Sequence, residues 1–412
     1  MVTNPKLHLE IKTETDLIVR DTPTQRILEV RVRAPKAAVR SERPRMNLGL
    51  VIDRSGSMSG EKLEFVKKAA QHVVSLLAEG DRAALVSFDD TITVDFPGST
   101  INPETRQELL KRIGQLRSGN MTNLFDGWMT GCKEVAGAEE VEGQINRTLL
   151  LTDGLANVGI TEIEEIGVHV RELVTRGVST STFGVGLGFD EHLLENMANV
   201  GSGNFYFIAN PQEIPQIFMR EFSEMATVTA SGVEVSLDLP AQTAAQVFGS
   251  WRHEIANGKL RLFLGDLSSE MERVVYIKLL LPPVNEADEL VLKAKVKAKD
   301  VDGQPVKAQF EVTFRYASAD EVERAPRDLK VLEAFATVDL ADRTTEALKL
   351  ERAGQREKAK ELMEQGIEEL HPYLAQEQVL ESKDIANRMS HGMIEEDRKI
   401  SQSNAYMRKR GR

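Results

Sequence analysis

The 412-residue chain has a single cysteine, Cys132, so no disulfide can form within it. That composition suits a reducing compartment, and cytoplasmic residence is the expectation. No run approaches the roughly eighteen apolar residues that a membrane-spanning helix needs. The opening Met1-Val2-Thr3-Asn4-Pro5-Lys6-Leu7-His8 lacks the apolar core of a secretory signal. The seven histidines are scattered, none at metal-ligand spacing, and His-Glu-x-x-His is absent. So is G-x-x-x-x-G-K-[ST], which leaves the chain without a phosphate-binding loop of that kind. Positive charge is also in deficit. Lys and Arg number 52 against 64 Asp and Glu, and a net charge of −12 argues against a general nucleic-acid binder. The 41% hydrophobic and 28% charged content is ordinary for a globular protein, and the length calls for two or three domains.

What is present begins at Val51-Ile52-Asp53-Arg54-Ser55-Gly56-Ser57-Met58. Here Asp-x-Ser-x-Ser follows an apolar, strand-like run, Leu48 to Ile52. Alternation on an extended turn can point one carboxylate and two hydroxyls to one place. Hard oxygen donors gathered at one point suit Mg²⁺ or a similar small cation. Taken alone, the motif reads equally as turn and helix-cap chemistry. Two more segments add to it. Gly119-Asn120-Met121-Thr122-Asn123-Leu124 is a polar loop before a helical stretch, and Thr148 to Leu151 is a buried-strand pattern running into Thr152-Asp153-Gly154.

Together, Asp53, Ser55, Ser57, Thr122 and Asp153 resemble the five-residue metal-ion-dependent adhesion site of von Willebrand factor type A domains, here of a bacterial type. Gly80 to Phe88 resembles that family's second strand and Phe183-Gly184-Val185-Gly186 the end of its fifth. The likeness covers about residues 46–226. It implies a six-stranded sheet in the order 3-2-1-4-5-6, with the third strand antiparallel. It also implies Mg²⁺ (or Mn²⁺) on the five residues, with one coordination place left for a carboxylate from a protein partner. Arg54 and Met58 flank the motif and are candidates for a partner-contact rim, with ordinary exposed turn positions as the alternative. Gly184-x-Gly186-x-Gly188 is not the G-x-G-x-x-G spacing of a dinucleotide loop.

Independently of the resemblance, the middle of the chain alternates strand and helix patterns. That predicts an α/β fold with an open, doubly wound, mostly parallel sheet. Such sheets bind ligands where strand order reverses, and in the order that the resemblance implies both aspartates lie there. Cys132 falls within a helix, Leu124 to Val135, as a small buried residue. The flanks read differently. Short alternating strands at residues 7–32 and 233–316 suggest an antiparallel β-sandwich built from residues 1–45 and 227–318, with the metal-site domain, 46–226, inserted in it. Residues 326–397 read as a helical region with a hairpin breaking near Gly354. Residues 398–412 hold six Lys or Arg and no acid, and read as a solvated basic tail.

The function expected is a non-enzymatic, metal-dependent protein-interaction module. The alternative is an adaptor or substrate-presenting subunit for a separate ring ATPase, as with some bacterial relatives. A metal-assisted hydrolase is the third reading and needs a general base beside the ion, which the sequence does not display.

Overall fold

The computed structural model describes residues 7–37, 43–138, 141, 143–283 and 288–411. The reading of the amino terminus as lacking a signal rests largely on residues 1–6, which lie outside the described residues, as do Arg412 and the 38–42 end of the first flank.

Three strands come first: β1 (His8–Thr13), β2 (Leu17–Val19) and β3 (Thr24–Arg33). The central unit then runs β4 (Met46–Asp53), α1 (Glu61–Leu76), β5 (Arg82–Phe88), β6 (Ile92–Thr100), α2 (Pro103–Gln115), α3 (Leu124–Ala136) and β7 (Ile145–Thr152). It continues through α4 (Ile163–Thr175), β8 (Ser179–Val185), α5 (Glu191–Val200), β9 (Ser202–Ile208) and α6 (Ile214–Ala226). Its sheet has the order β6-β5-β4-β7-β8-β9, parallel except for β6. All eight residues of β4 are buried, which is why its apolar run does not alternate with polar residues. Its side chains still alternate in direction. Leu48, Leu50 and Ile52 join a core with α1, α2 and α6, while Val51 joins a second core with α3, α4 and α5. Helix α3 lies tight on the sheet because Gly131 has no side chain; a Cβ there would meet Val51 Cγ2 at 2.1 Å.

The chain after α6 supplies β10 (Val228–Asp238), β11 (Ala244–Phe248), β12 (His253–Ala256) and β13 (Lys259–Ser268). β14 (Glu272–Leu281), β15 (Glu289–Lys299) and β16 (Pro305–Ala317) follow. They combine with the first three strands in two sheets, β1-β3-β14-β11 and β12-β13-β10-β15-β16-β2, whose inward residues form one apolar cluster. β3 pairs with β14 along its whole length, from Thr24 opposite Leu281 to Arg33 opposite Glu272. One pairing departs from a purely antiparallel arrangement, since β2 runs parallel to β16. The two ends of the central unit meet where Thr229 Oγ1 donates to Pro35 O at 3.0 Å.

A buried ionic knot joins the two units. Arg147 on β7 donates to Glu221 of α6 at 2.8 Å and to Asp266 of β13 at 2.9 Å. Glu221 is fully buried and also accepts from Ser181 Oγ, Asn204 Nδ2 and Tyr206 Oη at 2.6, 2.8 and 2.8 Å.

The C-terminal region holds α7 (Ala319–Arg324), α8 (Leu329–Arg352), α9 (Arg356–Leu370), α10 (Gln376–His391) and α11 (Glu395–Lys409). Gly354 takes the left-handed conformation, φ +78°, that ends α8 and starts the return. α8, α9 and α10 share a core, and Phe335 and Val338 of α8 pack on Phe248 and Tyr276 of the sandwich. The described part of 398–412 is not a solvated tail. It is the body of α11, and it docks on the central unit. Lys399 and Lys409 are 1% and 2% exposed. Lys399 Nζ donates to Glu191 Oε2 at 2.6 Å and to Phe189 O at 2.5 Å, and Tyr406 Oη accepts from Phe205 N at 3.1 Å. Two of the acids that pair with this basic stretch, Glu191 and Glu195, lie some two hundred residues upstream, while Arg398 pairs with Glu351 and Glu395 and Arg408 with Glu381. No described helix is long and apolar enough to cross a membrane.

Candidate metal centre

The carboxyl ends of β4 and β7 lie side by side, and the site is built on them. Asp53 is the last residue of β4 and is fully buried. Its Oδ1 accepts from Ser55 N at 2.7 Å, which closes the turn, and its Oδ2 accepts from Thr152 Oγ1. Ser55 Oγ lies 3.2 Å from Ser57 Oγ, and Ser57 Oγ donates to Asp153 Oδ1 at 2.6 Å. Asp153 is 1% exposed. Thr122 reaches the same place from the loop before α3. A Cβ on Gly154 would meet Thr122 Oγ1 at 3.0 Å and Asp53 Oδ2 at 3.6 Å, so both oxygens flank one point beside a residue with no side chain. The loop is fixed by Gly56 N donating to Asn120 O at 2.9 Å and Thr122 N to Asn157 Oδ1 at 3.1 Å.

The structure therefore brings Asp53, Ser55, Ser57, Thr122 and Asp153 together. Burial pushes the Asp53 carboxyl up to about 6; bonds from Ser55 and Thr152 pull it down, and the neighbouring Asp153 charge adds to the rise. Two buried carboxylates with three hydroxyls make an all-oxygen donor set whose charge is best satisfied by a cation. Among the described residues no group of three or more His, Cys, Asp or Glu is placed to hold a metal, so hydroxyls must complete any set formed here.

A cation is already present that the sequence reading missed. Lys62 Nζ donates to Asp153 Oδ2 and, at 3.3 Å, to Ser57 O. It sits in the first turn of α1, where the helix dipole disfavours positive charge. A lysine placed against that preference, nine residues after Asp53, was the available signal. Thr152, buried against Asp53, and Asn157 were also missed.

The rim expectation needs correcting at Met58. Met58 is fully buried in the core beneath α1, because the 3-10 turn Gly56–Met58 rotates its side chain inward. It cannot touch a partner. Arg54 is partly exposed and pairs with Asp89 at 3.0 Å.

Residues 47–220 match the family model described as von Willebrand factor type A domain. Protein sll0103 of Synechocystis is 27% identical over 320 residues, covering 73% of this chain and 74% of that protein. Protein YfbK of Escherichia coli is 32% identical over 48% of this chain, but the match spans only 34% of YfbK. Human inter-alpha-trypsin inhibitor heavy chain H3 is 30% identical over 46% of this chain and 22% of its own length. Among solved structures, a von Willebrand factor type A protein from Catenulispora acidiphila superimposes with a TM-score of 0.70 at 16% identity, over 89% of this chain and 88% of that one. The ArnB paralog VWA2 from Sulfolobus acidocaldarius gives 0.65 at 18% identity, over 98% of both chains. At such identities the likeness is one of fold. The chain thus carries a von Willebrand factor type A domain, of a family that commonly mediates protein–protein interactions.

Proposed function

We propose that Asp53, Ser55, Ser57, Thr122 and Asp153 hold Mg²⁺ (or Mn²⁺), and that the filled site captures an Asp or Glu side chain of a protein partner. The observation that carries this reading is the convergence of two buried carboxylates and three hydroxyls at the switch point of the sheet. When bound, the ion supplies a hard Lewis acid with room for one more oxygen ligand. The reading is of binding, not catalysis. Both carboxylates are already engaged by Ser55, Thr152, Ser57 and Lys62, leaving neither as an open general base.

The test is calorimetry and thermal unfolding with and without Mg²⁺. Folded wild type is expected to bind the ion and gain stability, about 2.7 kcal/mol when the ion is at a hundred times its Kd. Asp53→Ala should lose the gain. Absence of divalent binding to folded wild type at millimolar metal ends the proposal.

Lys62 sharpens it. Its ammonium competes with the ion for the same carboxylate. Lys62→Met is expected to tighten Mg²⁺ binding roughly tenfold, read by titration calorimetry. Weaker binding in that variant would instead make Lys62 a support for Asp153.

A further inference from the structure

We propose that the outward face of β15 is a docking strip for an extended, acidic segment of a partner protein. Lys293, Lys295, Lys297 and Lys299 occupy every second position of this strand, all exposed, while Leu292, Ala294, Val296 and Ala298 point into the sandwich core. The pleat sets successive lysines about 6.7 Å apart. On β16, the exposed Lys307 stands directly opposite Lys297.

Three observations set this strip apart from an ordinary solvated face. First, exposed lysines commonly guard the edge of a sheet against unwanted pairing. β15 has no edge to guard, because β10 pairs with it on one side and β16 on the other. Second, like charges directly opposite one another destabilise a sheet, and Lys297 opposite Lys307 is such a pair. Third, Lys293 is flanked by Asp238 and Glu311, and beyond it Glu234 is the one acid set directly across from the strip. Lys295 lies between Ser236 and Gln309, Lys297 between Glu234 and Lys307, and Lys299 between Ser231 and Pro305. Among the described residues, Lys295, Lys297, Lys299 and Lys307 have no carboxylate at ion-pair distance, whereas Lys293 has Glu311 at 3.8 Å. This concentration of unpaired positive charge occurs on a chain of net charge −12.

The shape of the strip selects its occupant. It is centred on one strand, joined by Lys307 of the next, and bounded by the acids at the Lys293 end. An extended peptide with Asp or Glu at alternate positions presents carboxylates at the same pitch as the lysines. A single-stranded nucleic acid needs aromatic platforms; the outward positions of β10, β15 and β16 hold none, and Phe263 of β13 lies under Arg252. A bilayer contact calls for apolar or aromatic anchors on the same face, where Val291 alone is an exposed large hydrophobic residue. The overall negative charge repels an acidic partner elsewhere, so the strip also orients its approach. Nothing in this contact involves the candidate metal centre.

The experiment is fluorescence anisotropy of a labelled peptide of alternating Glu and Thr against the full chain, with chelator present throughout. The wild type is expected to bind at low salt and to weaken steeply as salt rises, while the matching Gln-Thr peptide does not bind. The variant carrying Lys295→Gln, Lys297→Gln, Lys299→Gln and Lys307→Gln should lose at least about tenfold in affinity. The four arginine replacements should retain it, which separates charge loss from misfolding. Equal binding by the glutamine variant, or by the Gln-Thr peptide, overturns the proposal. So does tighter lysine-dependent binding to oligo-dT or to phosphatidylserine vesicles than to the acidic peptide. Because chelator is present, failure of the metal-site reading leaves these outcomes unchanged.

Discussion

Glu221→Ala should lower stability by about 3–5 kcal/mol, the cost of breaking a buried ion pair from one side. The carboxylate is fully buried and serves four donors at once: Arg147, Ser181, Asn204 and Tyr206. Alanine leaves the Arg147 guanidinium with Asp266 as its one carboxylate partner, beside Ser179, and removes an acceptor from the other three. Glu221→Gln keeps an acceptor oxygen and should fall between alanine and wild type. The measurement is urea unfolding followed by Trp128, which is fully buried in the central unit, in a Trp251→Phe background. A midpoint unchanged by Glu221→Ala would show that the knot contributes nothing net. The same residue gives the protein a pH dependence. Burial opposes ionisation of Glu221, but the Arg147 charge and the bonds from Asn204, Ser181 and Tyr206 outweigh it and hold the carboxyl below its ordinary range. The folded state thus favours the ionised form. This contribution is complete above the unfolded carboxylate range and is lost as pH falls through the lower folded value. In Glu221→Gln that acid-side loss should shrink.

The second large effect is expected at the far end of the chain. Lys399→Ala removes a 1%-exposed ammonium from Glu191 and from the Phe189 carbonyl, and with it a cation placed 4.1 Å from the Phe189 ring centre. One-sided loss of a buried pair costs several kcal/mol. Here the expectation is about 3 kcal/mol, the low end of that range, because Arg352 still reaches Glu191 at 2.7 Å. Limited proteolysis should show α11 released before the central unit unfolds, since Lys399 holds the two together. Cleavage within 395–409 at the wild-type rate would mean the docking does not depend on this lysine.

These two sites also mark where sequence reading succeeds and where it stops. The sheet of the central unit is legible because each buried strand is an uninterrupted apolar run closed by a polar turn, as at Leu48 to Asp53. Candidate residues of the centre are legible because they sit at the ends of those runs. Met58 shows the limit. Spacing within the motif placed it beside Ser57, yet a single 3-10 turn decides whether it faces solvent or core. Lys62 lay outside the motif, and only its conflict with the helix dipole distinguished it. Helix α11 was misread for a different cause. A run with six Lys or Arg and no acid looks solvated when its charge is counted locally. Its lysines reach Glu191 and Glu195 of a helix that precedes it by two hundred residues, and its arginines reach Glu351 and Glu381 of α8 and α10. The Arg147–Glu221–Asp266 knot is equally nonlocal, joining three elements that no periodicity relates.

The pairing of β3 with β14 has a consequence for how the protein is made. Arg33 and its cross-strand neighbour Glu272 are separated by 239 positions (272 − 33). At cellular synthesis rates, β3 leaves the ribosome on the order of 10–50 s before its partner exists. A hairpin of β1 and β3 is marginal by itself, so through that interval it waits as an exposed edge. The central unit can fold in the meantime, and in doing so it draws Pro35 and Thr229 into hydrogen-bond contact. A closure spanning nearly two hundred residues then becomes a local one, and β10 to β16 emerge beside strands already held in position. On that order of events, folding of the central unit would shorten the loop that β3 and β14 have to close.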